Sequence, residues 1–368
     1  MQPLRIAMVV ATSTGGVGGH VRSLCRGLVI RGHHVVVAGP ASTADRFGFT
    51  AAGARFVVVD IGAGPRPTGD AAAVVRLRRL LRGADVVHAH GVRAGALCAL
   101  AGLAPLIVTL HNAPPQCDGP LAALFPALER VVAWRADTVL GVSGDLVERM
   151  RRRGARRLGR AVIAAPPQGE PSRPVARVRA ELGASQRRPV LLVIARLAPQ
   201  KGLDILLEAA QALTGRTPVP LVAVAGDGPL RPELAAAVAR RGLPVRLLGH
   251  RRDIADLLAA ADVFVLPSWW EGPSLVIMEA LRAGLPVVAT RVGALAELYA
   301  GVARLVPSGD AAALADAIRR VLDEPGLADR MRQGSLRRAA TLPGEDDAVE
   351  AALAHYRRLA HSAAARSS

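Results

Sequence analysis

The chain has few aromatic residues, and it lacks an apolar run long enough to cross a bilayer. Aromatic residues make up 3% of the 368 residues, and no nucleic-acid-binding motif accompanies the net charge of +17. This disfavours nucleic-acid binding, because base stacking needs aromatic side chains. The longest apolar stretch, Ala96 to Leu110, is interrupted by Pro105, and the first thirteen residues are typical of a buried strand rather than a signal peptide.

Cysteine is scarce as well. The three cysteines, Cys25, Cys98 and Cys117, show neither CxxC spacing nor a paired spacing. We therefore expect a reduced, cytoplasmic protein with no structural metal. Independently of the cysteines, we expect no bound cofactor.

Lysine and asparagine are nearly absent. Lys201 is the single lysine among 47 basic residues, and Asn112 is the single asparagine. Part of the arginine excess fits a GC-rich codon bias, so the charge alone does not specify a partner. The basic run from Glu148 to Arg160 leaves two interpretations open: a solvated helix end, or contact of Arg149–Arg160 with an anionic membrane surface, peripheral on its inner face.

The order of apolar runs predicts an α/β fold with two doubly wound, Rossmann-like domains. Short β-branched runs alternate with helical runs, and they are continuously apolar, as in parallel strands covered on both faces. The predicted strands are Arg5–Val10, His34–Ala38, Phe56–Asp60, Asp85–Ala89, Leu106–Leu110, Thr138–Val142, Pro189–Ile194, Leu221–Ala225, Val245–Leu248, Val263–Leu266 and Val287–Thr290.

The domain boundary is predicted in a stretch rich in proline, glycine and glutamine, AAPPQGEPSRP (164–174). We predict an N-terminal domain over residues 1–168 and a C-terminal domain over residues 169–345. A terminal helix over residues 346–368 is predicted to pack back on the first domain and to fray at its tail. Ligands of such sheets bind at the carboxyl ends of strands, so we expect the site in a cleft between the domains.

Two features of the first domain follow predicted strands. Gly15 and Gly16 belong to a run of four glycines in five positions that opens a helix, where backbone can approach an anion. The run fits neither the dinucleotide fingerprint nor a Walker P-loop. His111 stands at the end of another strand, where a chemical group would be displayed.

The second domain has two cations after its first strand. Arg196 can grip two oxygens as a fork and Lys201 acts as a point charge, and a helix follows them. This combination predicts a diphosphate site. The turn at His250 and Arg251 follows a later strand and could contact a base through its backbone.

Two glutamates stand eight positions apart in PSWWEGPSLVIMEALRAGLP (267–286). They could be an acid/base couple, a metal site, a clamp for hydroxyl groups or solvated surface. Because Gly272 and Pro273 separate them, Glu271 is predicted in a loop and Glu279 inside the helix that begins near Ser274 and Leu275. An anion at that helix N-terminus would have one carboxylate on each side, which suits a nucleotide sugar. We find no metal-ligand spacing around them.

Taken together, these motifs resemble the family 4 retaining glycosyltransferases, which have the GT-B fold. The resemblance covers nearly the whole chain. It is carried by GGVGGHV, ARLAPQKGLDILLEA, AGDGPLRPEL and ADVFVLPSWWEGPSLVIMEALRAGLPVVAT, the last of which contains Glu271 and Glu279.

The resemblance implies a metal-independent enzyme that moves a sugar from a nucleotide-diphosphate sugar to a hydroxyl acceptor, which would be a glycan, a lipid-linked or a small molecule. Arg196 and Lys201 would hold the diphosphate, Glu279 the ribose and Glu271 the sugar.

The same resemblance gives roles to the remaining residues. Gly15 and Gly16 would approach the phosphate and sugar, and His111 would face the reacting sugar. Backbone at His250 and Arg251 would contact the base, and the amides at Ser274 and Leu275 the phosphate. Acceptor choice would rest on the loops Ala63–Asp70 and Asn112–Pro120.

Three stretches depart from the family pattern. Pro273-Ser274 stands where the family has an aromatic residue and glycine, Gly293-Ala294 replaces a glycine pair, and PPQGEP replaces the usual linker. Two other functions stay open: a nucleotide-sugar epimerase using Asp85, His88 and His90, and a catalytically idle binding partner.

Overall fold

Residues 2–13, 15–62, 64, 66–113, 120–167 and 169–367 are described by a computed structural model. The chain forms two compact units. Unit 1 comprises residues 1–166 and 343–368, and unit 2 comprises residues 167–342. Among the described residues, no helix is long and apolar enough to cross a membrane.

Unit 1 is built on a parallel sheet whose order in its described part is β3-β2-β1-β4-β5-β6-β7. The strands are β1 (Arg5–Val10), β2 (His34–Gly39), β3 (Arg55–Val58), β4 (Val86–His90), β5 (Leu106–Leu110), β6 (Thr138–Gly141) and β7 (Leu158–Arg160). The helices between them are α1 (Gly16–Ile30), α2 (Ala41–Phe47), α3 (Pro67–Leu81), α4 (Val92–Leu100), α5 (Pro120–Arg135) and α6 (Gly144–Arg152). The strand order reverses between β1 and β4, so their carboxyl ends flank a crevice in which ligands of such sheets bind.

Unit 2 repeats this plan with the order β10-β9-β8-β11-β12-β13. Its strands are β8 (Val190–Ile194), β9 (Leu221–Ala225), β10 (Val245–Gly249), β11 (Val263–Leu266), β12 (Val287–Thr290) and β13 (Arg304–Val306). Its helices are α7 (Val175–Glu181), a 3-10 turn at Pro199–Lys201, α8 (Leu203–Ala212), α9 (Arg231–Arg241), α10 (Ile254–Ala260), α11 (Leu275–Arg282), α12 (Gly293–Tyr299), α13 (Ala311–Asp323) and α14 (Leu327–Ala339). Here the order reverses between β8 and β11.

Helix α15 (Glu345–Ser367) returns to unit 1 and packs on α1. Val349 packs beside Gly27, and Leu353 and Tyr356 are fully buried. Arg26 of α1 and Arg31, the residue after its last turn, form ion pairs with carboxylates at the start of α15. The helix continues to Ser367 rather than fraying after residue 360, because its alanine-rich end has high helix propensity.

The core of each unit is mainly aliphatic, as the continuous apolar runs predicted, and the two parallel sheets of the fold prediction are confirmed. Cys25 and Cys98 are free and buried, and Cys117 lies outside the described residues.

Candidate active site

Lys201 and Glu271 meet at the point in unit 2 where the strand order reverses. Lys201 ends the turn after β8, and Glu271 lies in the loop after the neighbouring strand β11. The Lys201 Nζ is 2.5 Å from Glu271 Oε1, and Ser268 Oγ donates to the same oxygen at 2.6 Å. Glu271 is only 6% exposed, so this pairing compensates the cost of burying its charge.

The two loops are held together through their backbones. Trp269 N donates to Gln200 O at 2.8 Å, and Gln200 Nε2 donates to Trp270 O at 2.9 Å. Gly202 has φ +59, and a Cβ there would lie 2.1 Å from Pro267 O. The lysine and the glutamate are therefore brought together by backbone geometry as well as by their charges.

Helix α11 begins directly after this loop. Its N-cap, Ser274, has φ +50 and is the only non-glycine residue with positive φ in the described chain. Tyr299 OH donates to Pro273 O just ahead of it. No side chain caps the helix, so the amides of its first turn, from Leu275 onward, face a position that favours an anion.

Glu279 lies inside α11 and Glu271 in the preceding loop, which confirms the predicted placement of the two acids on either side of the helix N-terminus. Burial raises the pKa of Glu279 to about 7, and nearby Arg282 opposes part of that shift. Glu279 therefore titrates at a higher pH than an ordinary carboxyl.

The other predicted residues of unit 2 lie at the same edge of its sheet. Arg196 follows β8 and is exposed, and His250 follows β10 and is exposed. The Arg251 side chain is engaged by Asp253, with Nε 2.7 Å from Oδ1. The contact of this turn with a base stays a prediction.

The two tryptophans have different surroundings. Trp269 is 48% exposed and its ring lies against Gly309. Trp270 Nε1 lies close to Gly293, where a Cβ would be 3.1 Å from it and 2.0 Å from Glu271 O. Ala294 N also donates to Glu271 O at 3.0 Å. The family pattern has a glycine pair at positions 293 and 294. This chain keeps Gly293, the glycine that the position of Glu271 requires.

In unit 1, His111 belongs to a cluster of four histidines. Gly15 is the N-cap of α1, and His20 in the second turn of that helix lies 5.7 Å from the His111 ring, centroid to centroid. His90, the last residue of β4, places its Nδ1 3.0 Å from His111 Nε2. His111 thus lies against helix α1, which the glycine run opens.

The fourth histidine, His88, ties this cluster to α15. Its Nδ1 is 2.7 Å from Tyr356 OH and its Nε2 is 2.7 Å from Thr109 Oγ1. Burial lowers the pKa of His20 to about 4 and that of His88 to about 3, and it lowers the pKa values of His90 and His111 well below 6.5. All four rings are neutral at pH 7.

The basic run 148–160 is more paired than its composition predicts. Arg149 and Arg153 both bind Glu129, whose side chain is buried, and Arg151 and Arg152 both bind Glu148. The end of the run forms edge strand β7 instead of continuing a helix. The interpretation as a solvated helix end therefore holds for only part of the run 148–160.

Two family models match the chain. The model described as "Glycosyl transferase 4-like domain" matches residues 15–166, and the one described as "Glycosyl transferases group 1" matches residues 188–324. A D-inositol 3-phosphate glycosyltransferase of Catenulispora acidiphila is 32% identical over 91% of this chain and 82% of its own length. The chain belongs to the group 1 glycosyl transferases.

A second relative of this glycosyltransferase is the 2-deoxystreptamine N-acetyl-D-glucosaminyltransferase of Streptomyces fradiae, 32% identical over 77% of this chain and 73% of the relative. Among solved structures, HepE of Anabaena in complex with UDP and glucose superposes with a TM-score of 0.81 at 21% identity, covering 96% of this chain and all of HepE. The GT-B fold is thereby established.

Unit 1 of the glycosyltransferase also holds a cavity of about 410 Å³. It is lined by Ala113, Asp145, Leu146, Glu148, Arg149, Arg152 and Arg153. Ala113 is two residues beyond His111. Of the loops predicted to choose the acceptor, residues 63, 65 and 114–119 lie outside the described residues.

Some residues of the glycosyltransferase were missed or misread in the sequence. His20 had no signal beyond its place in the glycine run, and His88 and His90 were considered only for an epimerase. Asp85, their expected partner, precedes β4 and so lies at the amino ends of the strands, opposite the histidines. There Arg5 Nη2 lies 3.1 Å from Asp85 Oδ1. Among the described residues, no group of three or more histidines, cysteines or acids is arranged to hold a metal ion.

Proposed function

We propose that this glycosyltransferase takes a sugar from a nucleotide-diphosphate donor held in unit 2 and transfers it, with retention of anomeric configuration, to a hydroxyl of the acceptor. The observation that carries the proposal is the Lys201–Glu271 pair beside the N-terminus of α11. Together, the pair and the helix supply a cation, a carboxylate and free helix amides at the carboxyl ends of the strands.

Each group has a physical role in holding the donor. The diphosphate accepts hydrogen bonds from Arg196, Lys201 and the amides at Ser274 and Leu275, because cations and helix N-termini both favour phosphate. Glu279 binds the ribose hydroxyls, and the backbone at His250 and Arg251 contacts the base. The UDP complex of HepE, which has the same fold, supports a uridine donor.

The Lys201–Glu271 pair suggests an exchange on donor binding. Without a ligand, each charge compensates the other. When the diphosphate arrives, Lys201 turns to it and Glu271 accepts hydrogen bonds from the sugar hydroxyls. In this proposal His111 and the backbone at Gly15 and Gly16 also contact the sugar.

Retention and metal independence belong to the proposal. The side-chain cations and helix amides neutralise the leaving diphosphate, so no divalent ion is needed. The leaving phosphate takes the acceptor proton on the face where the new bond forms. Activity that survives EDTA and an α-linked product from an α-donor, read by NMR, are the expected results; an inverted product would contradict this part.

We propose a polar cyclic polyol as the acceptor. The names of the two relatives contain D-inositol 3-phosphate and 2-deoxystreptamine, which are both ring polyols with charged groups. The cavity in unit 1 has guanidinium and carboxylate groups in its wall, which suits such a molecule. A panel of inositol, inositol 3-phosphate and 2-deoxystreptamine tests this class against lipid-linked glycans.

The donor proposal is tested by thermal shift with UDP-, GDP- and ADP-sugars. A donor at 100 times its dissociation constant should add about 2.7 kcal/mol of apparent stability. Lys201→Ala and Glu271→Ala should each abolish the shift and the transfer, while Arg187→Ala, an exposed cation outside the site, should leave both unchanged. Unchanged transfer from every donor in both site variants would contradict the proposed function.

We also propose that unit 1 contacts an anionic membrane surface through α5. Trp134 is 83% exposed, and Arg130 and Arg135 beside it are exposed as well. Because Arg149 and Arg151–Arg153 are already paired, fewer arginines of the neighbouring run are available for lipid. Trp134→Ser should reduce co-sedimentation with anionic vesicles and Val75→Ser should not; negligible binding of the unaltered protein to both neutral and anionic vesicles would end this idea.

A further inference from the structure

His90 has one nitrogen that its surroundings leave without a partner. The residue is 2% exposed and ends β4. Its Nδ1 faces His111 Nε2 at 3.0 Å, but its Nε2 is buried and finds no hydrogen-bond partner among the described residues. His111 is less buried than His90. Within the described chain, the hydrogen bond that the His111 ring makes is the contact of its Nε2 with His90 Nδ1.

Only two proton arrangements are compatible with this pair. A neutral imidazole carries one N–H and one lone pair, and a hydrogen bond between two rings needs one of each. Either His90 donates from Nδ1 and leaves a lone pair at its buried Nε2, or His111 donates from Nε2 and His90 leaves an N–H there.

The two arrangements differ in what they leave unsatisfied. In folded proteins, buried N–H groups without an acceptor are rarer than buried acceptor atoms with an unused lone pair, which favours the first arrangement. The first arrangement leaves only a lone pair unpaired. It also leaves the proton of His111 on Nδ1, the nitrogen that faces away from His90.

We propose that His90 is a positioning residue that donates its Nδ1–H to His111 Nε2 and so holds His111 as the Nδ1–H tautomer. His111 then presents a neutral N–H donor, not a basic nitrogen, to whatever lies beside it. His20 from α1 lies against both rings, and His88 on β4 lies against His90 and is itself held by Tyr356 from α15.

The consequence for catalysis rests on the proposed function. An oxygen of the transferred sugar would accept from His111 Nδ1, and a fixed donor aimed at developing charge lowers the barrier more than one that must reorient. His111 would stabilise charge in this way and would not exchange a proton with the acceptor.

The tautomer can be read directly in the ligand-free protein. Long-range ¹H–¹⁵N spectra of histidine-labelled protein distinguish the protonated from the unprotonated nitrogen of each ring, and His111→Gln assigns the signals of His111. We expect His111 to carry its proton on Nδ1 and His90 on Nδ1. A His111 ring protonated at Nε2 in the unaltered protein would overturn the proposal, whatever the variants do.

Two substitutions of similar shape then test the role of His90. In His90→Asn, the amide nitrogen is attached to Cγ as Nδ1 is in histidine, so it can replace the donor, whereas His90→Leu removes it. We expect the leucine variant to show both tautomers of His111 and to lose about tenfold or more in kcat with little change in donor KM, and the asparagine variant to regain most of both. His33→Leu, which removes another buried histidine of unit 1, should leave the His111 tautomer unchanged.

These readouts separate the two proposals. If the unaltered protein transfers sugar and both His90 variants keep its kcat and its His111 tautomer, the positioning role is wrong while the proposed function stands. If no donor supports transfer, the proposed function fails, and the tautomer measured without a ligand still decides the role of His90.

Discussion

At the scale of single residues, Glu279 should couple donor binding to protons. Its pKa of about 7 means that the native protein holds a proton there which the unfolded chain, with an ordinary carboxyl, releases at lower pH. Ribose hydroxyls donate best to the ionised carboxylate, so binding should lower this pKa and release a proton. Between pH 6 and pH 8 the affinity for a nucleotide should therefore rise about tenfold from this group.

Calorimetry in two buffers of different ionisation enthalpy measures that proton directly. We expect net release at pH 7 in the unaltered protein and its loss in Glu279→Gln, with the titration of the nucleotide itself common to both. Equal proton release in the two proteins would show that Glu279 does not meet the donor.

Ser274 should carry a local conformational cost. A side chain at positive φ is disfavoured by about 1–2 kcal/mol, whereas glycine adopts that region freely but adds about 0.4–1 kcal/mol of unfolded-chain entropy. Ser274→Gly should therefore stabilise the protein by roughly 0.5–1 kcal/mol in urea unfolding. Ser185 is exposed and has an ordinary φ, so Ser185→Gly should destabilise the protein. If Ser274→Gly lost stability in the same way, the proposed strain at Ser274 would be contradicted.

What the sequence predicted at this scale depended on local patterns. The loop position of Glu271 and the helical position of Glu279 followed from the Gly272-Pro273 break between them. The contact of Lys201 with Glu271 spans 70 residues, and that of His90 with His111 spans 21. Neither contact leaves a periodic pattern in the sequence, because each forms only when the strand order places two strand ends side by side.

At the scale of elements, the predicted strands were largely correct and the two misses are edge strands. Every predicted strand overlaps an observed one, because buried parallel strands are continuously apolar. Leu158–Arg160 and Arg304–Val306 have three residues each, contain arginine and lie at sheet edges, so they lack that signal.

The crossing of α12 and the Glu271 loop predicts an effect of a single methyl group. Gly293 has φ +48, and its Cβ would overlap Glu271 O at 2.0 Å, so Gly293→Ala must displace the loop that positions Glu271. We expect a stability loss of about 1–3 kcal/mol and at least a tenfold loss of donor affinity.

Gly215→Ala is the matched control, since no atom lies within 4 Å of its added Cβ and its φ is ordinary. It should be neutral or slightly stabilising. Full donor affinity in Gly293→Ala, measured by the thermal shift, would show that the position of Glu271 does not depend on this crossing.

At the scale of the whole molecule, the histidine cluster should make the protein sensitive to mild acid. The pKa values of His20 and His88 are about 4 and 3 in the folded state and near 6.5 in the unfolded chain. Below pH 6.5 the unfolded chain therefore binds protons that the native state does not bind. Stability falls until the pH approaches the pKa values of the folded state. Each of these rings should remove roughly 1.5 kcal/mol between pH 6.5 and pH 5, and His90 and His111 act in the same direction.

Glu279 acts in the opposite direction over part of this range, because a raised carboxyl pKa favours the folded state as the pH falls from 7 toward 4.5. One carboxyl is outweighed by four histidines, so urea unfolding should show a net loss of stability from pH 6.5 to pH 5. His20→Phe removes one of the four without breaking a hydrogen bond found in the structure, and it should reduce the slope by about one proton. An unchanged slope in this variant would mean that His20 is already protonated in the folded protein, which would also contradict a cluster of neutral rings around His111.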